Sequence, residues 1–397
     1  EDAVARYELA TDTKGRAKTT LDNVRRVITK SEAWGPCVWY DRFLDRVMVL
    51  DRVVREWCDA DDVDAAIYLQ SAIHLDHVTP AQVHAVMDAY CRAFCVRHPV
   101  RDWLDTLVWD GTARLDTVFQ TYWGVVPSVD MPEDYVRAAG HNFFLALVAR
   151  IYHPGCQVDT MPVLEGPQGT FKSSSLRLLA DPWYMQQSDA VTSKDFFQSL
   201  AGKWLIEIGE LDAFSKAEVT RVKTVISTPT DRYRASYGRT AADHARQCVF
   251  VGTTNHNDWG NDETGLRRFW PIACGRIDLA AIARDRDQLF AEAVATYQTS
   301  PDWWAMPTST VAVQAERMSD IAWSDLILPS LRLETEITIA EVLMRILKHD
   351  ASQITRAAQL TVGAVLRRAG WTKTMRRDAD GRQRKVWVAP SAAPEVF

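Results

Sequence analysis

Residues 161–175, with the sequence MPVLEGPQGTFKSSS, constrain the fold of this chain more than any other stretch. An apolar run predicts a buried strand at 161–164, a glycine-containing turn follows, and residues 174–180 suit a helix. Such a turn and helix start point backbone N–H groups at an anion, while a Lys-Ser pair adds an ammonium for phosphates and a hydroxyl for Mg²⁺. The predicted phosphate contacts are Gly166, Pro167, Gln168, Gly169, Thr170, Phe171, Lys172, Ser173 and Ser174.

One position departs from the usual spacing of such a loop. In G-x-x-x-x-G-K-[ST] a glycine precedes the lysine, and Phe171 stands there in this chain. Gly169, two residues earlier, is the candidate that supplies a permissive backbone instead. A glycine-containing turn that leads into a helix but binds nothing would have the same sequence pattern. The segments downstream have to distinguish it from a phosphate-binding loop.

A second apolar run, LIEI at 205–208, leads into the acidic sequence GELD. This pattern predicts a buried parallel strand that delivers carboxylates to the carboxyl edge of a sheet, where they hold Mg²⁺ and orient the attacking water. Glu210 is the first candidate for the base and the metal ligand, Glu207 the second and Asp212 the third. Gly209 occupies the place of an expected acid. Solvated acids after a strand are the alternative.

Arginine and tyrosine residues flank a predicted turn at 237–238 and form the arms of a hairpin over 231–247. Basic side chains interleaved with aromatic rings are suited to follow a nucleic-acid backbone and to stack bases. A surface hairpin with solvated arginines is the alternative. The predicted DNA contacts are Arg232, Arg234, Tyr237 and Arg239, and the same hairpin carries Tyr233 and Arg246.

Two further polar signals follow or precede buried strands. Asn255 ends the apolar run 248–254, and its amide can position the attacking water or the γ-phosphate, or can cap a turn. Arg267 and Arg268 enter the next strand and suit an arginine finger, which stabilises charge on a transferring phosphoryl group. A salt-bridged strand start is the alternative. The order of cradle, acids, hairpin, amide and arginines favours the functional interpretation, because it is the order of an oligomeric ring ATPase.

Residues 326–397 predict a separate C-terminal domain. Helices at 339–347 and 357–369, followed by two strands around a turn at 380–381, have the outline of a winged helix. Basic side chains on these strands fit salt-sensitive contact with DNA phosphates, although winged helices also bind proteins and a charge run can be a solvated face. The candidates are Arg376, Arg377, Arg382, Arg384 and Lys385.

The length and composition of the whole chain limit these interpretations. A length of 397 residues allows two or three domains, and a net charge of −6 requires any DNA contact to be local. No apolar stretch approaches the roughly 20 residues of a membrane span, and scattered cysteines predict a reduced, cytoplasmic protein. The first residue, Glu1, suggests a fragment of a longer polypeptide. Zinc at Cys91 and Cys95 is a weaker alternative, because their spacing matches no compact zinc finger.

Taken together, several segments of the chain resemble the virulence-associated E family. They are EGPQGTFKS at 165–173, EIGELD at 207–212, DRYR with YGR in 231–239, VGTTN at 251–255 and ETGLRRFWP at 263–271. Members are P-loop ATPases of phages, prophages and mobile elements, similar to superfamily 3 replicative helicases and to the helicase part of primase–helicases. The resemblance implies an α/β, AAA+-like core at 131–325, after a mainly helical N-terminal domain and connector at 1–130 and before a winged-helix domain at 326–397.

The resemblance also implies a mechanism. ATP and Mg²⁺ would be the cofactors, with Ser173, Glu207 and Glu210 around the metal. A hexameric homo-oligomer would place ATP between subunits, with Arg267 or Arg268 reaching a neighbour's nucleotide, and would move single-stranded DNA past hairpins in its pore. The predicted catalytic residues are Lys172, Glu210, Glu207, Asn255, Arg267 and Arg268.

The expected setting is replication of a phage or mobile element in the bacterial cytoplasm. A primase–polymerase domain often precedes such a core, and duplex DNA is a candidate ligand of the C-terminal domain. The alternative function is an ATP-switched DNA-binding initiator or regulator without processive unwinding. A metabolite kinase is disfavoured, because no acceptor-binding lid is recognisable.

Overall fold

The computed structural model describes residues 3–32, 34–187, 193–210, 216–233, 241–255, 266–315, 321–350, 353–377 and 383–390. Its chain divides into two units: the first runs to Leu107 and includes Ala201–Lys203, and the second comprises the remainder from Val108. Across these ranges, no helix combines the length and the apolar character that crossing a membrane requires.

The first unit packs helices against a small mixed sheet. Its helices are α1 (Ala3–Tyr7), α2 (Leu21–Lys30), α3 (Asp59–Ser71), α4 (Pro80–Phe94) and α5 (Pro99–Thr106), and its strands are β1 (Val38–Asp41), β2 (Arg46–Asp51), β3 (Val53–Glu56) and β4 (Val96–Arg97). The strand order is β3-β2-β1-β4, with β1 and β4 parallel and the other pairs antiparallel. Val27, Leu69 and Val83 lie in the shared core. Where the structure describes it, the region predicted to be mainly helical thus combines helices α1–α5 with this four-stranded sheet.

The helices of the second unit are α6 (Val118–Trp123), α7 (Glu133–Tyr152), α8 (Lys172–Ala180), α9 (Lys194–Ser199), α10 (Lys216–Ser227), α11 (Leu279–Thr299), α12 (Thr310–Ala315), α13 (Ile321–Ser330), α14 (Ile339–Glu341) and α15 (Arg356–Arg368). Its strands are β5 (Met161–Glu165), β6 (Tyr184–Gln186), β7 (Leu205–Ile208), β8 (Thr230–Tyr233), β9 (Ala242–Ala245), β10 (Val249–Thr254), β11 (Phe269–Ala273), β12 (Glu336–Ile337), β13 (Thr372–Arg377) and β14 (Gln383–Val388).

A five-stranded parallel sheet forms the centre of this unit, in the order β11-β5-β10-β7-β6. Strands β5, β7 and β10 are buried along their whole length, because helices cover both faces of the sheet. Helices α9 and α10 pack on one face, and α7, α8 and α11 pack on the other side or on one another. The predicted strand at 205–208 is confirmed. The carboxyl ends of β5, β7 and β10 meet at one edge of the sheet, where parallel α/β folds bind ligands.

The segment from Val108 to α6 packs as part of the second unit, held there by α11. The buried Glu292 carboxylate accepts hydrogen bonds from the backbone N–H groups of Arg114 at 2.6 Å and Leu115 at 3.1 Å. Burial raises the pKa of Glu292, and these two N–H donors act against that rise. The second unit therefore begins at Val108, within the stretch 1–130 that the sequence predicts as N-terminal domain and connector. These contacts join residues far apart in sequence, which no local pattern reveals.

Two glycines bring the end of α6 against the turn after β11. The Gly275 N–H donates to the Trp123 carbonyl at 3.0 Å, and Gly124 follows with a φ of +62°, a left-handed conformation that favours glycine. A β-carbon on Gly275 would lie 2.2 Å from the Gly124 carbonyl oxygen. This approach fixes the turn after β11 against the end of α6, and residues 274–278 line one cavity together with the loop that follows β5.

Gly275→Ala should destabilise the second unit. Because the added β-carbon meets backbone rather than a flexible side chain, we expect the free energy of unfolding to fall by about 1–3 kcal/mol. Denaturant titration of the full chain measures this. Gly363→Ala in α15 is the control: its β-carbon would approach Trp387 only to 3.5 Å, and alanine favours a helix by up to about 1 kcal/mol. Equal stability of Gly275→Ala and wild type would contradict the close packing.

The C-terminal part of the second unit combines helices with an antiparallel sheet in the order β12-β14-β13. Val362, Leu366, Trp371 and Trp387 form its core together with Leu343. The predicted helices correspond to α14 with the π-helical turn Val342–Ile346 and to α15, and the predicted strands to β13 and β14. The predicted turn at 380–381 lies outside the described residues.

Candidate functional site

The loop that follows β5 curves around a buried lysine side chain. Gly169 and Phe171 in this loop have φ angles of +83° and +65°, and α8 begins at the next residue, Lys172. The Lys172 Nζ donates hydrogen bonds to the carbonyl oxygens of Gly166 at 2.5 Å and Pro167 at 3.0 Å. The ammonium therefore lies inside the curve of the loop, at the N-terminus of α8.

The backbone conformation of Phe171 shows how the loop forms without the usual glycine before the lysine. Its φ of +65° and ψ of 22° are left-handed, the conformation that a glycine at this position would adopt without strain. Gly169 is also left-handed but does not replace it. The phenylalanine therefore takes the backbone conformation of the expected glycine at a cost.

Glu207 is the polar centre of the site. It points from β7 and is fully buried, and its carboxylate accepts hydrogen bonds from Ser173 Oγ at 2.6 Å and Thr253 Oγ1 at 2.7 Å. The Tyr184 hydroxyl donates a further short hydrogen bond to the same carboxylate. Burial and this contact raise the pKa of Tyr184 far above its usual range, so the phenol remains a donor. Hydroxyl groups from α8, β6 and β10 thus converge on one carboxylate.

A cavity of about 310 Å³ opens at this edge of the sheet. The loop before α8 forms one wall, and residues at the ends of β7 and β10 form the other. The predicted residues that line it are Gln168, Gly169, Thr170, Phe171, Lys172, Ser173, Ser174, Glu207, Glu210 and Asn255. Glu210 is exposed with a φ of +54°, and Asn255 is exposed after β10. One cavity therefore brings together a lysine, hydroxyls, two carboxylates and an amide.

The oxygen donors in this cavity suit a hard divalent cation. Ser173 Oγ and the Glu207 carboxylate are 2.6 Å apart, and hydroxyl, carboxylate and water oxygens are the ligands of Mg²⁺. Glu210 also lines the cavity. The predicted metal ligands are thus in one place, and Glu207, ranked second by the sequence, has the direct contact with the serine.

Thr253 and Tyr184 are site residues that the sequence does not single out. Thr253 lies two residues before Asn255, and strand alternation places the two on one face, a signal that was available. Tyr184 reaches Glu207 only because β6 pairs in parallel with β7, opposite Leu205. Parallel pairing joins segments distant in sequence, so no local signal identifies it.

Comparison with known proteins places the chain in a family. A family model described as the virulence-associated protein E-like domain matches residues 104–321. The chain belongs to this family. No curated protein matches it by sequence.

Solved structures of the NrS-1 C-terminal region are among those similar to this virulence-associated protein E-like chain. An A form apo structure of residues 305–718 has 16% identity and a TM-score of 0.40, covering 92% of this chain and 98% of that chain. A second apo structure has 16% identity, and another A form apo structure has 15%; each has a TM-score of 0.40 and covers 89% of this chain and 96% of its own.

The paired arginines of this family member lie in a 3-10 turn, Leu266–Arg268, directly before β11. Arg267 is exposed. The half-buried Arg268 donates from Nε to the Ser227 hydroxyl at 2.7 Å, at the last residue of α10. The two side chains therefore differ: one faces solvent, and the other is tied to the helix that precedes β8.

The predicted hairpin has its two strands, β8 and β9, paired from Thr230 with Ala245 to Tyr233 with Ala242. Arg232 is exposed and contacts Asp243 at 3.0 Å. Tyr233 stacks on His244 with ring centroids 4.0 Å apart. Arg234, Tyr237 and Arg239, like the third acid Asp212, lie outside the described residues.

Arg246 corrects the predicted set of hairpin arginines. Its side chain is only 3% exposed, and its guanidinium contacts the Asp231 carboxylate, with Nε 2.9 Å from Oδ2, as well as the Val225 carbonyl. A buried charge needs such partners, because it has lost its contact with water. Arg246 therefore fixes the base of the hairpin against α10 and is not available to DNA.

Arg246→Ala should unfold the second unit more readily. Its removal leaves the Asp231 carboxylate buried without its cation, so we expect a loss of about 3–5 kcal/mol in the free energy of unfolding. Arg232→Ala is the matched control from the same hairpin, and its exposed pair should change stability by less than about 1 kcal/mol. Thermal or urea unfolding of both variants decides. A similar small effect for both would show that Arg246 does not anchor the hairpin.

Basic side chains of the C-terminal sheet lie opposite each other. Arg376 on β13 is in register with Arg384 on β14, and Arg376 contacts the Glu336 carboxylate at 2.9 Å. Lys385 is exposed on the same strand as Arg384. Arg382 and the side chain of Arg377 lie outside what the structure describes.

The cysteines considered for zinc do not form a site in the described ranges. Cys91 is buried with its Sγ 3.8 Å from the Met87 Sδ, and burial raises the pKa of its thiol to about 12. Where the structure describes the chain, no group of three or more His, Cys, Asp or Glu side chains is arranged to hold a metal ion. Cys91 acts as a core residue.

Proposed function

We propose that this chain is an ATP-hydrolysing motor with a P-loop nucleotide site, which moves single-stranded DNA during replication of a phage or mobile element. The observation that carries the proposal is the contact of Ser173 Oγ with the Glu207 carboxylate at 2.6 Å, beside Lys172 at the start of α8. A lysine, a serine hydroxyl and a buried acid at the carboxyl edge of a parallel sheet are the groups that phosphoryl transfer requires. Membership of the virulence-associated protein E-like family supports the biological setting.

In this proposal the first residues of α8 bind the phosphates. Backbone N–H groups at the helix N-terminus face the anion, and Lys172 exchanges its carbonyl partners in the loop for β- and γ-phosphate oxygens. That exchange gives the ammonium a charged partner in place of neutral ones, which strengthens its hydrogen bonds. Lys172 therefore forms stronger hydrogen bonds with bound phosphates than with the carbonyl groups of the loop.

We assign different roles to Glu207 and Glu210. Glu207 and Ser173 hold Mg²⁺, which when bound neutralises charge on the phosphates. Glu210 is exposed to the cavity and is the base that orients the attacking water, and Asn255 helps to position that water. This assignment follows the contacts: Glu207 is already bonded to Ser173, whereas Glu210 faces the open cavity.

The paired arginines receive different tasks in a homo-oligomeric ring, with a hexamer as the expected form. Arg267, which faces solvent, is the arginine finger that reaches the nucleotide of a neighbouring subunit. Arg268 holds the finger to the end of α10 through Ser227. Since Arg246 joins the base of the hairpin to the same helix, α10 connects the finger with the segment proposed to contact DNA.

A second function remains for the C-terminal sheet, which we propose to be the wing of a winged helix. Arg376 and Arg384 lie directly opposite each other on neighbouring strands, with the exposed Lys385 next to Arg384. Glu336 pairs with Arg376. The strands of this sheet therefore carry more basic than acidic side chains, which suits contact with the phosphates of duplex DNA. This observation favours an ATP-switched DNA-binding initiator or regulator, in which the ATPase controls duplex binding without processive unwinding.

Lys172→Ala tests the ATPase. We expect hydrolysis to fall by at least about a hundredfold, because the charge on the transferring phosphoryl group loses its cation, while thermal unfolding stays near that of the wild type. Lys30→Ala, whose lysine forms a surface ion pair with Glu8 in the first unit, is the control and should retain activity. Single-stranded DNA should stimulate wild-type turnover.

Strand separation decides between the two functions. A forked duplex is unwound if the chain is a translocating motor, and duplex binding that responds to ATP without unwinding supports the regulator. Wild-type-like hydrolysis by Lys172→Ala would contradict both, because both depend on the same nucleotide site.

A further inference from the structure

A second and larger cavity of about 930 Å³ adjoins the first at the loop before α8. Gly169, Thr170 and Phe171 line both cavities, so this short segment is their common wall. The far wall of the larger cavity is the segment 274–279 after β11. A ligand with its phosphates at Lys172 therefore has space to continue past Phe171 on the other side of the loop.

Phe171 occupies the common wall under conditions that disfavour a large side chain. Its left-handed backbone is strained for any residue with a β-carbon, and the residue is 56% exposed. The exposed ring gains little from burial in the described fold that would offset the strain. Strain that the fold does not require is concentrated at ligand sites in proteins.

The opposite wall of the larger cavity is held by packing against α6 and is partly apolar. Ile277 is buried in the segment 274–279, and Leu279 begins α11. The approach of Gly275 to Gly124 holds this segment against the end of α6. An exposed aromatic residue and a partly apolar wall that line the same cavity are suited to take a flat ring between them.

We propose that Phe171 contacts the base of the bound nucleotide, and that the larger cavity holds the nucleoside part of a nucleoside triphosphate. This inference rests on the proposed nucleotide site. In it, the loop that binds the phosphates also binds the base, through the side chain of Phe171. The ring offers a π face on which every base can stack. The side chain at this position therefore selects nucleotides over other polyphosphates.

Two ligands distinguish the contribution of the base to binding from that of the phosphates. Binding of Mg²⁺ with ATP and of Mg²⁺ with inorganic tripolyphosphate is measured by calorimetry on the full chain, for wild type, Phe171→Ala, Phe171→Gly and Phe171→Tyr. Loss of a stacking ring should weaken ATP binding by about 5- to 100-fold, since aromatic stacking of a base has that strength. Tripolyphosphate should bind all four proteins within about twofold, because it does not reach the base cavity.

The alanine and glycine variants distinguish the ring from the backbone. Alanine keeps the β-carbon and its strain, whereas glycine removes both, so a role of the ring predicts equal loss of ATP affinity in the two variants. Phe171→Tyr keeps the ring and should bind ATP like the wild type. Thermal unfolding with tripolyphosphate present confirms that each variant retains the phosphate site.

Three results would overturn the inference. Unchanged ATP affinity in the alanine and glycine variants would remove Phe171 from the base site but leave the proposed function intact. Parallel weakening of ATP and tripolyphosphate would show that Phe171 acts through the loop backbone. Failure of the wild type to bind either ligand would contradict the proposed function itself, and this inference with it.

Discussion

The buried carboxylate of Glu207 is the interaction on which the arrangement of the site depends. An ionised group loses its hydration when it is buried, and hydrogen bonds must compensate for most of that loss. Ser173, Thr253 and Tyr184 supply those bonds from α8, β10 and β6. Because each donor belongs to a different element, one carboxylate sets the relative positions of the helix that begins at Lys172 and the strands around β7. The same oxygens are the proposed ligands of Mg²⁺, so the structural centre and the proposed chemical centre coincide.

Two other buried polar contacts extend this organisation outward. Glu292 in α11 ties the segment after Val108 to the second unit, and Arg246 with Asp231 fixes the base of the β8–β9 hairpin. Arg268 reaches the end of α10 through Ser227, close to the place where Arg246 meets Val225. Glu292 and Arg246 are thus buried charged groups that join elements, and exposed arginines such as Arg267 and Arg232 are the ones available to ligands.

Local patterns were sufficient to predict much of this fold. The strand at 205–208, the turn and helix around Lys172, and the helices and strands of the C-terminal part could all be predicted from periodicity and turn residues. Most predicted cradle residues also line one cavity, because the carboxyl ends of parallel strands meet. The pairing of strands in the first unit, the packing of the segment after Val108 on α11, the burial of Arg246 and the contact of Tyr184 with Glu207 could not be predicted. Each depends on pairing between distant segments, and an arginine near aromatic residues has the same local pattern whether it is buried or exposed.

The dependence of nucleotide binding on Mg²⁺ is the sharpest test of whether Glu207 holds the metal ion. ATP affinity is measured with and without Mg²⁺ for wild type and for Glu207→Gln, which keeps the size of the side chain and removes its charge. We expect Mg²⁺ to strengthen ATP binding to the wild type, and we expect this strengthening to be at least about tenfold smaller in Glu207→Gln. Equal strengthening by Mg²⁺ in both proteins would show that Glu207 does not hold the ion, and the proposed site would be wrong at its centre.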